Sequence, residues 1–199
     1  HLGPALDEAR AKHHFSMVVE ARPDDREALL ALIGLAQDDP ASALNLVRRL
    51  IALEVDNEDL RSLRLQLREL CRRVGDTDGA LDQILELVRE NSEDVNLLEQ
   101  AIADLEADSQ HDAAIGYLAR LMELNKEKSG RVFARMAENA SRVGRIDEAI
   151  AWWRQAIEQG ESLESCAISI ETVSLAEGRV SDAIDAIELR LGMASTRQK

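Results

Sequence analysis

Residues 144–160 read GRIDEAIAWWRQAIEQG, and the order of small, large and turn residues in this stretch recurs before and after it along the chain. Ala149, Ile150, Trp153, Ala156 and Ile157 fall at i, i+1, i+4, i+7 and i+8, which makes one apolar stripe of an amphipathic helix. Gly144 supplies a turn that folds this helix back on the one before it. Ala149 and Ala156 are small enough for two helices to approach closely, and Trp153 between them fills the adjoining hole. The stretch is the second helix of a hairpin.

With Ala149 as anchor, a turn residue stands five positions before it and a large apolar residue four positions after it. The same triplet appears at Ala43 (Asp38, Val47), Ala80 (Gly75, Ile84), Ala114 (Ser109, Leu118) and Ala183 (Gly178, Ile187). Successive anchors lie 37, 34, 35 and 34 residues apart, and Ala11, with Phe15 and Pro23, lies 32 before the first. A fixed period of this size marks a stacked-repeat architecture.

Helix signals fill in the units. A lone second helix is expected over 5–21, ended by Pro23. Asp25 caps a helix through 37, and Asp39-Pro40 turns the chain into the next, up to about 54. Asp56 and Asn57 open a helix over 58–74, Asp76 caps one to about 90, and Ser92 caps one through 107. Further helices are expected over 111–124, 129–143, from 146, over 162–177 and over 180–191. Connections of two to five residues make neighbours antiparallel. The expected fold is all-α, a right-handed superhelical solenoid of antiparallel helix hairpins with about 11 helices. It forms a single array over 1–199: a partial repeat 5–23, hairpins 24–55, 57–91, 92–126, 127–160 and 161–192, and a tail 193–199. The array starts on a second helix and ends without a polar capping helix, so it is either a segment of a longer array or one whose ends pair.

Composition agrees. Aromatics are 3% and prolines 3 of 199 residues, so no sheet is expected. The net charge of -14, from 38 acidic and 24 basic side chains, argues against nucleic acid or an anionic membrane as partner. The longest apolar run, 28–36, is far short of the roughly 20 residues a membrane span needs. Cys71 and Cys166 fall three units apart and are expected as small core residues, not a disulfide. The excess of arginine over lysine suggests a bacterial source.

The chain resembles the tetratricopeptide repeat family. The matching stretches are GRIDEAIAWWRQAI from Gly144, AKHHFSMVVEARPDD from Ala11 and, less fully, GDTDGALDQILELV from Gly75 and GRVSDAIDAIELRL from Gly178. The likeness spans about residues 5–192. The first helices lack the family's frequent Trp, Gly and Tyr, and Arg68 and Glu171 stand near positions where Gly or Ala is usual. The resemblance implies binding of a peptide or protein segment along a concave face lined by first helices. It also allows a setting in a bacterial assembly, secretion or exopolysaccharide-export complex. The Lys and Asn pattern with which some members hold a C-terminal carboxylate is absent from Glu27, Leu30, Asn96, Glu99, Arg131, Arg135 and Glu138.

Arg61, Arg64, Arg68 and Arg72 recur at steps of three and four residues, beside an apolar stripe of Leu60, Leu63, Leu67, Leu70 and Val74. They form either an anion-reading strip, since guanidinium forks bind carboxylate or phosphate bidentately, or a solvated face balanced by Glu58, Asp59 and Glu69. Arg131 and Arg135 are further candidate anion contacts. Trp152 points about 100° away from Trp153. It is either an exposed interface anchor or packed on the following repeat. His13 and His14 are adjacent and do not converge on one ion, so no metal and no cofactor are expected, and no catalytic motif is present. The expected function is a non-enzymatic scaffold for a protein or peptide partner, with self-association through the array ends as a further possibility. The alternative is a regulatory or sensory domain that binds a ligand or peptide and controls an output domain outside this chain.

Overall fold

The computed structural model describes residues 3–53, 56–125 and 129–196, and these contain eleven helices and no strand. They are α1 Gly3–Ala21, α2 Arg26–Leu35, α3 Pro40–Leu53, α4 Asn57–Val74, α5 Thr77–Glu90, α6 Val95–Ala107, α7 His111–Leu124, α8 Ser129–Arg142, α9 Ile146–Glu158, α10 Leu163–Ala176 and α11 Val180–Thr196. The chain divides into two compact units, His1–Ser92 with α1 to α5 and Glu93–Lys199 with α6 to α11. Within each unit every helix packs on the helices next to it in sequence, the nearest-neighbour pattern of an all-α hairpin solenoid.

The repeat has a sharp local cause. From α3 onward each second helix begins three residues before its anchor alanine: Pro40 before Ala43, Thr77 before Ala80, His111 before Ala114, Ile146 before Ala149 and Val180 before Ala183. All five anchors are buried, as are Val47, Ile84, Leu118 and Trp153, while Ile187 is half-buried. Removing such large side chains from water stabilises each unit by about 1.5–3 kcal/mol per residue. The alanines let the helices close on them.

The turn residue is equally regular. Gly75, Ser109, Gly144 and Gly178, each five before an anchor, all have positive φ. At Gly144 the amide donates to the Ser141 carbonyl and the Arg145 amide to the Ala140 carbonyl, the doubly bonded C-terminal stop that a left-handed residue permits. The same pair of bonds closes α4 at Gly75, α6 at Ser109 and α10 at Gly178. Asp38, the fifth turn residue of the series, is not among the residues with positive φ. There the side chain of Asp39 accepts from the amide of Ser42, and Pro40 sits at the first helical position.

Several expected boundaries move. The cap of α6 is Asp94, not Ser92: the Asp94 carboxylate accepts from the amides of Asn96 and Leu97, and Ser92 lies too far upstream to reach them. Helix α2 stops at Leu35 and not 37, α8 stops at Arg142, and Ser162 is the cap of α10 and not part of it. Helix α1 starts at Gly3, α4 at Asn57, and α11 runs on to Thr196. Residue 54, where the expected end of α3 falls, lies outside the described residues. Val74 is exposed and does not belong to the buried stripe of α4; Cys71 fills that role. Both cysteines are free and buried, and burial pushes each thiol up.

Candidate interaction surface

In the first unit Arg61, Arg64, Arg68 and Arg72, four of the five arginines of α4, do not lie equally open. Arg68 is only 8% exposed, beside the buried Leu67. Arg64 reaches across to α5, where its Nη1 donates to Gln83 Oε1 at 3.3 Å. Its Nε lies 3.3 Å from Glu90 Oε1, an ion pair without hydrogen-bond alignment. Arg61 is half-buried and lines an open cleft of about 470 Å³ with Glu58, Leu87, Glu90 and Asn91. Arg72 is exposed in the last turn, where positive charge suits the helix dipole. Steps of three and four residues keep these arginines on one side of the helix, so what each meets is decided by its place along the helix and by the residues of α5 opposite it.

In the second unit Arg135 of α8 sits between two carboxylates of α6. Its Nη1 donates to Glu99 Oε2 at 2.7 Å and its Nη2 to Glu106 Oε2 at 2.8 Å. Burial opposes its charge, but the hydrogen bonds to Glu106 and Glu99 outweigh that and raise its pKa. Asn139, one turn on and 3% exposed, donates through Nδ2 to Glu106 Oε1 at 2.8 Å and to the Arg135 carbonyl at 2.9 Å. Its Oδ1 lies 2.8 Å from Nδ1 of His111 at the start of α7. Because an amide oxygen only accepts, that histidine nitrogen is the donor. The chain Glu99–Arg135–Glu106–Asn139–His111 ties three helices together. Arg131, one turn before Arg135, is exposed and has no partner among the described residues. Sequence patterning brought out Arg135 but missed Glu106, Asn139 and His111; the available signal was an asparagine inside a helix at a core position, next to the buried Ala140.

Trp152 is half-buried on α9, with the Arg145 guanidinium 5.8 Å from its ring centroid. Arg145 precedes α9, where a cation opposes the helix dipole. It is held there by Glu148 and by Asp112 of α7, 3.1 Å away, and these two carboxylates raise its pKa in that order. Arg179, before α11, repeats the arrangement with Asp182 and with Asp147 of α9, at 2.8 and 2.7 Å. Arginine thus stands at the start of successive second helices, each tied to the second helix before it.

Hairpins of this period, stacked through small anchor residues and closed by left-handed turns, can be compared with known proteins. No protein-family model matches the chain, and no curated protein matches it. Solved structures do. YrrB, described as a TPR protein with an unusual peptide-binding site, superposes with a TM-score of 0.54 at 16% identity, over 88% of this chain and 89% of that one. The chain has the tetratricopeptide fold. MamA from MSR-1 matches the chain with a TM-score of 0.56 at 15% identity, over 83% of this chain and 93% of its own. MamA from Desulfovibrio magneticus RS-1 gives 0.54 at 12%, over 87% and 95%. At these identities what the chain shares with them is backbone architecture.

Proposed function

We propose that the chain is a non-catalytic interaction scaffold that binds a protein or peptide through exposed faces of its first helices. The observation that carries this is the division of labour within each hairpin. Anchors and large apolar residues are used up between helices, while Glu27 and Leu30 of α2, Asn96 of α6 and Arg131 and Glu138 of α8 stay exposed. YrrB, of the same fold, is a peptide-binding protein by its description. A preformed helix face within a unit recognises a ligand without reorganising, which lowers the entropy cost of binding.

On these faces, each taken within its own unit, Arg61, Arg72 and Arg131 are the candidate anion contacts, whereas Arg64 and Arg135 bond to neighbouring helices and Arg68 is buried. A setting in a bacterial assembly, secretion or export complex is the finer proposal. The test is affinity capture with the intact chain and its Arg61→Glu, Arg131→Glu double variant. The expected result is loss of the captured partner with an unchanged thermal midpoint. Undiminished capture would remove these residues from the binding face.

A further inference from the structure

A cleft of about 360 Å³ opens in the second unit between the second helices α9 and α11, with α10 beneath. Ile157, Ile170, Ala186 and Leu189 line it, and the exposed Arg154, Glu158 and Asp185 supply its polar edge. Its volume is at the low end of the roughly 300–1,000 Å³ of small-molecule sites. That is room for one or two side chains.

The repeat register says why the space is open. Three residues after the anchor, successive second helices carry Leu46, Gln83, Tyr117, Trp152 and Ala186. The first four are half-buried, and the last is a buried methyl group. Where α9 places an indole, α11 places nothing beyond Cβ, and the cleft lies over that position.

Charge narrows the occupant. Glu158 and Asp185 face the cleft from its two walls, and the exposed Glu188 follows one turn after Asp185. Among the described residues Arg154 is the one cation lining it; its guanidinium lies 3.7 Å from Asp185 and 3.8 Å from Asp182, beyond hydrogen-bond reach. Asp182 is already bonded by Arg179. A loosely held, half-exposed pair of this sort is worth little and re-pairs easily. The whole chain, at a net charge of -14, attracts cations over distance.

We propose that this cleft docks a cationic segment of a partner protein in which a bulky apolar side chain, best an aromatic one, stands beside an arginine or lysine. The apolar side chain covers Ala186 and Ile170, and the neighbouring cation pairs with Asp185 and Glu158. This rests on the chain being an interaction scaffold, but it uses second helices and not the first-helix face.

The probe is N-acetyl-tryptophanyl-arginine amide, titrated into the ¹⁵N-labelled full chain. Saturable amide shifts are expected at Ile157, Ala186 and Leu189. Asp185→Lys, at an exposed position, weakens them at least tenfold, and Ala186→Trp abolishes them by filling the cleft. The proposal is overturned by absent shifts at these amides, by equal binding of the tryptophanyl-glutamate analogue, or by Asp185→Lys leaving affinity unchanged. The charge variant decides the matter even where Ala186→Trp fails to fold. Loss of the cleft with capture through Arg61 and Arg131 intact sinks this proposal alone; the reverse pattern sinks only the first-helix face.

Discussion

Ser109 occupies a left-handed turn position, φ 59°, that the parallel turns fill with glycine. A side chain there costs about 1–2 kcal/mol, part of which glycine recovers less its greater unfolded freedom. Ser109→Gly is therefore expected to stabilise the chain by about 0.5–1 kcal/mol, seen as a higher urea midpoint; no change would show that the serine pays no strain. Ser174, fully buried in α10, has a hydroxyl with no hydrogen-bond partner among the described residues. One repeat earlier the same place is Ala140. Ser174→Ala is expected to gain about 1 kcal/mol by removing an unsatisfied polar group, and a loss would reveal a partner for the hydroxyl. Asp76 caps α5, and the bond from the Gly79 amide holds its carboxyl below the usual range. A lowered folded pKa means the cap contributes fully above about pH 4 and is lost as pH falls through the folded value. The difference in thermal midpoint between the wild type and Asp76→Asn should be flat from pH 7 to 5 and shrink below about 4.

At the scale of elements, the Arg135 network is the joint with most at stake. Asn139→Ala strips a buried partner from Glu106 and from His111 together, and is expected to cost about 2 kcal/mol. Arg135→Met should be strongly non-additive with it, because both changes orphan Glu106; additive unfolding energies would mean the two bonds act independently. The elements themselves were legible from residues. Apolar periodicity and Gly or Asp punctuation located the helices because in a hairpin array the contacts that shape a helix are with sequence neighbours. The ends were less legible: Ser92 and Asp94 are both good caps on chemistry, and only geometry decides that Asp94 reaches the free amides of α6. The fate of the arginines was less legible still. Whether Arg64 faces solvent depends on Gln83 and Glu90 of the next helix, which no pattern within α4 encodes.

For the whole molecule, charge is the dominant long-range property. Fourteen uncompensated negative charges oppose compaction, whereas exposed ion pairs are each worth only about 0–1 kcal/mol. Repulsion wins, so raising sodium chloride from near zero to about 0.15 M, where the Debye length falls to about 8 Å, should raise the thermal midpoint. A falling midpoint would show that the arginine ties at Arg145 and Arg179 outweigh it. The candidate site remains the part that sequence illuminates least, since a tetratricopeptide array specifies its scaffold through positions that repeat and its ligands through positions that do not. The residue three after each anchor shows both halves of that statement. Leu, Gln, Tyr, Trp and Ala have been written at one address of the same backbone, so the fold carries a slot whose content changes while its grammar stays intact, and a single substitution there edits what the surface says to a partner.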